Sequence, residues 1–222
     1  IMCSGAGLEA GWLPILIQKG SSRIQPGKPG YFLAADFVPI LEIPTVLDRS
    51  LGDIHPEGNP HVHLNPHNIL IIANEFTKRL IRIDGNNQAS YTALNEAFTS
   101  RWKAAIEKWE QDLSDYKNLS MVIYHKNFSY LIDWLGINLL GSIEVKPGIP
   151  PTAAHLEELL GVIRNSNSTP IIAVTPYDAT KGAEWLSGKI NKPYVTLPYT
   201  VGGDEQSKNL FDLFDRTLAL LK

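Results

Sequence analysis

Apolar and polar positions along this chain change their period several times, and each change predicts an element. "IMCS" at the start reads as the end of a buried strand, "GAGLEAG" as a Gly-rich turn, and "WLPILIQKG" as an amphipathic helix. From residue 22 to about 66, Pro and Gly separate short apolar runs, which predicts loop-heavy ground where binding residues tend to sit. Asn65 followed by Pro66 is a helix start, and "HNILIIANEFTKRLIRI" carries apolar residues at helical spacing until Asp84 and Gly85 break it. A second, longer helix is predicted over "NQASYTALNEAFTSRWKAAIEKWEQDLSDY", where Tyr91, Leu94, Phe98, Trp102, Ile106, Trp109 and Leu113 recur every three or four positions. Such a helix of about 30 residues would be about 45 Å long and suits a strut between two lobes.

Beyond the strut the period alternates. "SMVIYH", "INLLGSIEV", "TPIIAVTP" and "PYVTLPY" read as strands, with helices in "NFSYLIDWLG", "TAAHLEELLGVIRN", "GAEWLSGKI" and "QSKNLFDLFDRTLALLK". Four βα units predict a parallel sheet covered by helices on both faces, with ligands at the carboxyl ends of the strands. The fold class is therefore α/β: two lobes of parallel sheet flanked by helices and joined by a long helix. The expected divisions are 1–85 for the remainder of a first lobe, 86–118 for the linking helix and 119–222 for the second lobe. Trp12, Trp102, Trp109, Trp134 and Trp185 are expected in the core.

Composition narrows the function. A net charge of −3 and the lack of any Lys/Arg run argue against nucleic acid or an anionic membrane surface as partner. The longest apolar stretches are far shorter than the roughly 20 residues a bilayer span needs. One cysteine, Cys3, can form neither a disulfide within the chain nor a thiolate zinc cluster, so any metal is held by nitrogen and oxygen. Four of the six histidines fall in "HPEGNPHVHLNPHN", residues 55–68, and His125 closes the strand "MVIYH" at the position where a ligand residue is expected.

The order of "CSGAGLEAGWLP", "NPHVHLNP", the long helical stretch, "VIYHKNFSYLIDWLG", "EVKPGIPPTAAHLEELL" and "VTLPYTVGG" resembles the metal-binding solute-binding proteins of bacterial ABC transporters for zinc and manganese. Family members carry Asp-Pro-His-x-Trp-Leu where this chain has Asn59 to Leu64, and a His followed by an aromatic near a strand end where it has "YHKNFSYL". They also have a Glu-Pro-Ser-Pro-like segment where "EVKPGIPP" stands. The resemblance implies metal ligation by His61 and His125, with the ion between the lobes. Glu144 is expected to orient an imidazole through its ring N–H. His63, Asp204 and Glu205 are further candidates for the ion or its surroundings, Tyr199 and Thr200 standing where the family's last carboxylate is expected. His55 and His67 are expected to be solvated and His155 to be a surface helix residue.

The resemblance further implies zinc as the ion, manganese being the weaker fit to imidazole donors. It implies a membrane permease as partner, a periplasmic or otherwise extracytoplasmic location, and capture rather than catalysis. It also implies a stretch preceding Ile1, with the first strands of the first lobe and another His ligand. A bare sheet edge and apolar patch are then expected, so that the chain either self-associates through that edge or has a mobile first lobe beside a well-ordered second one. Two other classes remain at this stage. "HVH" resembles the His-x-His pair of metallo-β-lactamase-like and amidohydrolase-like hydrolases, although Asn65 and Pro66 stand where the acid should fall. A structural or adhesive surface protein would show no metal affinity.

Overall fold

The structure is a computed structural model that describes residues 1–45, 55–111 and 113–222; of Leu113 and Ser114 it describes the backbone alone. The described chain divides into two compact units, one running to Glu107 and the other from Lys108 to Lys222.

In the first unit, β1 (Met2–Cys3) pairs in parallel with β2 (Phe32–Leu33). Between them lies α1 (Leu13–Gln18), which buries Leu13 and Ile17 and leaves Ile15, Leu16 and the preceding Trp12 exposed. The expectation of a core Trp12 is thus corrected: at 50% exposure it sits ahead of the helix on the side away from Leu13 and Ile17. Helix α2 (Pro66–Ile83) starts where the Asn-Pro signal puts it. The Asn65 side chain accepts from His67 N at 2.9 Å, and Pro66 takes a first-turn position whose N–H would have no helical partner.

Helix α3 (Gln88–Glu110) is shorter than its apolar period suggests, and the short helix α4 (Leu113–Tyr116) follows it. Trp102, Ile106 and Trp109 on its stripe are buried and Tyr91 and Phe98 half-buried, whereas Leu94 is 67% exposed, so cover is fuller toward the second half of the stripe. The Trp102 indole donates to Pro66 O at 2.8 Å and ties α3 to the start of α2.

The second unit holds a four-stranded, wholly parallel sheet in the order β4-β3-β5-β6, formed by β3 (Ser120–Ile123), β4 (Asn138–Ser142), β5 (Ile171–Val174) and β6 (Val195–Thr196). β3 and β5 are buried at every position, as strands covered on both faces must be. Val122, Ile172 and Val174 pack with Leu159, Leu160 and Ile163 of α6 (Ala153–Arg164) and with Ala183 and Leu186 of α7 (Lys181–Ile190). The pleat sends Met121, Ile123 and Ala173 to the opposite face, and they too are fully buried. Between β3 and β4, α5 (Ser129–Leu135) ends on Gly136, whose φ of 66° is the left-handed conformation a helix stop needs. Helix α8 (Leu210–Leu220) buries Leu213, Phe214, Thr217 and Leu218 and is capped by Asn209, whose Oδ1 accepts from Phe211 N and Asp212 N.

The end of α3 is fixed within this unit by aromatic packing. Trp109 stacks on Phe214 with centroids 5.0 Å apart, donates to Asp215 Oδ1 at 2.9 Å and meets Trp134 edge-on. Truncation removes both the packing and the hydrogen bond. Trp109→Ala is expected to destabilise the unit by about 3–5 kcal/mol, read as a lower midpoint in urea unfolding at constant slope. A change under about 1 kcal/mol would show that this cluster does not hold the helix end.

Candidate metal centre

The histidine-rich segment is built on a turn and a buried asparagine. Gly58 N donates to His55 O at 3.1 Å, closing a turn with Pro56 second and Gly58 fourth. Gly58 has φ of 102°, and a Cβ there would lie 2.2 Å from Ile40 Cγ2, so only glycine lets the segment pack onto residues 40–43. Asn59, 5% exposed, then makes three bonds: its N–H donates to Leu41 O at 2.8 Å, its Nδ2 donates to Glu42 Oε2 at 2.9 Å, and its Oδ1 accepts from His61 N at 2.9 Å. His61 is thereby fixed at its backbone, and its ring is buried at 7% exposure.

Beyond His61 the chain forms one 3-10 turn, Val62–Leu64, which buries Val62 and Leu64 and leaves His63 half-buried. An extended segment would have put His61 and His63 on one side. The turn wins because two apolar side chains gain burial and Asn68 Nδ2 caps Val62 O at 2.9 Å. Sequence reasoning missed His55: its ring meets that of His61 edge-on at 6.0 Å, because the 55–58 turn folds it back. The Pro and Gly of "HPEG" carried the signal. His67 is exposed in the first turn of α2.

In the second unit the carboxyl ends of β3 and β4 bring His125 and Glu144 together. Ile123 pairs with Ser142 in the ladder, and Glu144 N donates to Tyr124 O at 3.0 Å, so the two side chains leave neighbouring strands at the same level. His125 Nδ1 lies 2.6 Å from Glu144 Oε2, with the side chains 24% and 9% exposed. A carboxylate only accepts, so Nδ1 carries a proton, which in the neutral form of the ring puts the lone pair on Nε2. Gly148 N donates to Glu144 Oε1 at 2.6 Å, which gives the buried carboxylate a second partner. At the adjoining end of β5, Thr175 is buried and its Oγ1 has no hydrogen-bond partner among the described residues.

The other candidates lie in the turn after β6. Asp204 Oδ1 accepts from Gln206 N and Ser207 N, and its Oδ2 accepts from Arg216 Nε at 3.0 Å. Glu205 is exposed. Tyr199, where the last carboxylate is expected, meets Tyr177 edge-on at 5.9 Å, and burial, with Tyr177 beside it, pushes its phenol well above the usual range. Among the described residues, neither unit by itself gathers three His, Cys, Asp or Glu side chains around a point that could hold an ion. No described helix is long and apolar enough to cross a membrane.

Two α/β units with parallel sheets, divided within one long helix, give the two-lobed α/β class of fold expected from the sequence. The chain belongs to the family described as zinc-uptake complex component A, periplasmic, whose model matches residues 1–222. It is 24% identical over 122 residues to the "High-affinity zinc uptake system protein ZnuA" of Brucella abortus (strain 2308), and equally so to that of Brucella suis biovar 1 (strain 1330). That match takes in 55% of this chain but only 36% of each relative. The fold is similar to "Crystal structure of ZnuA", with TM-score 0.75 and 20% identity over 100% of this chain and 79% of that one. It is also similar to the Cd-bound periplasmic metal binding protein of Candidatus Liberibacter asiaticus, with TM-score 0.72 and 16% identity over 99% and 77%. At these identities the likeness is one of fold.

Asp204 yields a test of its structural role. Burial pushes its carboxyl up, but the bonds from Ser207, Arg216 and Gln206 together outweigh this and hold it below the usual range. A carboxyl depressed in the folded state contributes stability that is present above its unfolded pKa of about 3.9 and lost as pH falls through the folded value. Asp204→Asn should therefore lower the thermal midpoint at pH 6, with the gap closing below about pH 4. A gap that stays constant down to about pH 2 would show that the bonds made by the ionised carboxyl are not what stabilises the turn.

Proposed function

We propose that this protein captures a divalent transition metal, zinc first, outside the cytoplasm and passes it to the membrane permease of an ABC transporter. The observation that carries the reading is the family match along residues 1–222, to a family described as a periplasmic component of zinc uptake. The ligands we assign are His61 and His125. Two local features support them. The His61 ring is held in a buried position by a backbone that Asn59 and Gly58 lock in place. The His125 ring is presented by Glu144 in the tautomer that leaves Nε2 to bind a metal, the arrangement by which a carboxylate raises the basicity of a metal-bound imidazole.

Imidazole nitrogen favours zinc over manganese on the Irving–Williams order, which supports zinc as cargo. His63 and His55 adjoin His61 and are proposed to take part in capture, while Asp204 and Glu205 are assigned to the turn in which they lie. Hydrolysis is the weaker reading: Asn65, standing where the acid of a His-x-His hydrolase would fall, is committed to capping α2. The family match weighs against a purely adhesive role.

Calorimetric titration of the metal-free protein with zinc tests the proposal. His61→Ala and His125→Ala should each weaken binding about tenfold or more, at least about 1.4 kcal/mol, while His67→Ala should leave it unchanged. Equal affinity in all three variants would remove the assigned ligands. A wild-type protein that takes up no zinc would remove the function.

A further inference from the structure

The sequence predicts His155 to be a surface residue of α6, and the structure gives it a specific attachment. Its backbone N–H donates to Thr152 Oγ1 at 3.2 Å, placing it in the capped first turn of α6. Its ring Nε2 lies 2.8 Å from Ser142 O. A carbonyl oxygen only accepts, so Nε2 carries the proton and the ring is a fixed donor in this contact. Ser142 is the last residue of β4, an edge strand of the sheet, and α6 lies close enough that a Cβ on Gly141 would come within 2.9 Å of Leu159 Cδ1.

From Ser142 the chain of contacts continues. Its Oγ donates to Glu144 O at 2.9 Å, and Glu144 Oε2 accepts from His125 Nδ1 at 2.6 Å. Thus His155 holds the carbonyl, Ser142 holds the next turn of backbone, and Glu144 holds the imidazole. An edge strand has no further strand on its outer side to fix where its end points, so that end depends on side chains.

We propose that His155 is a positioning residue for metal capture: by anchoring the end of β4 to α6 it fixes the Glu144 carboxylate on His125 and so selects the tautomer that presents Nε2. The inference rests on His125 being a ligand, as proposed above. It touches no ion itself, and its action runs through Ser142 and Glu144.

The test compares His155→Ala with His155→Gln in the whole chain, because the Gln side-chain amide can donate to Ser142 O where Ala cannot. Zinc affinity is read by competition with a chelating dye, and the ring tautomer of His125 by long-range proton–nitrogen NMR of the zinc-free protein. Since partners one contact from a ligand typically change affinity 10- to 100-fold, an anchor further out should cost roughly three- to tenfold in His155→Ala. The His125 ring should shift from a single Nδ1–H form toward a mixture, and His155→Gln should restore both readouts. An alanine variant with unchanged affinity and tautomer overturns the proposal. So does a glutamine variant that behaves as alanine does, since that marks a packing role. If His125→Ala leaves zinc affinity intact while the His125 tautomer still follows the residue at 155, the ligand assignment fails and the anchoring stands.

Discussion

Parallel pairing of β3 with β4 and β5 is the constraint from which the chemistry of the second unit follows. Parallel strands must be joined by crossover helices, so every strand ends on the same edge of the sheet. His125, Glu144 and Thr175 are far apart in sequence, yet each follows the last residues of its strand. Register makes the arrangement specific. Ile123 opposite Ser142 brings His125 level with Glu144 two residues on, and a slip of one residue would turn the carboxylate to the other face. Because β3 is buried on both faces, such a slip would also break its fitted packing against the side chains covering each face, and the core itself therefore holds the His125–Glu144 contact in place.

The first unit reaches a similar result without a sheet edge. Its imidazoles stand on an irregular segment, where each backbone group needs its own partner. Gly58 permits close packing, Asn59 ties the segment to Leu41 and Glu42, and Asn68 reaches back from α2 to Val62 O. Here the backbone at His61 is held, whereas in the second unit a carboxylate holds the ring of His125. The difference reflects what each scaffold offers: strands place neighbouring side chains in pairs, and turns place backbone amides near short polar side chains.

Much of this was legible in the sequence, for identifiable reasons. Asn65-Pro66 marked the start of α2 because cap and first-turn chemistry is local, and the four βα units showed because a buried parallel strand is a continuous apolar run. That Glu144 meets an imidazole was expected from the needs of a metal site; that the imidazole is that of His125 follows from the pairing of β3 with β4. What stayed hidden depended on contacts distant in sequence. The turn at Val62–Leu64 formed because Val62 and Leu64 both gain burial, which the alternation His-Val-His does not reveal. Leu94 fits the same period as the buried Trp102, Ile106 and Trp109, and period alone does not say which part of a stripe is covered. His155 looks like any helix-surface residue until Ser142 is brought beneath it.

Asn59 shows how a departure from a family pattern can be compensated within the fold. Where the family carries Asp, this chain has an asparagine that must both accept from His61 N and donate to the Glu42 carboxylate, and an aspartate lacks the donor. Placed there, an aspartate would face Glu42 across a hydrogen-bond distance, and two carboxylates so close repel each other. Glu42 adopts φ of 55°, a conformation that costs a residue with a Cβ about 1–2 kcal/mol, and its exposed side chain accepts from Asn59 Nδ2. The amide of Asn59 thus connects the Glu42 carboxylate to the backbone of His61, a bridge that needs both an acceptor and a donor at residue 59.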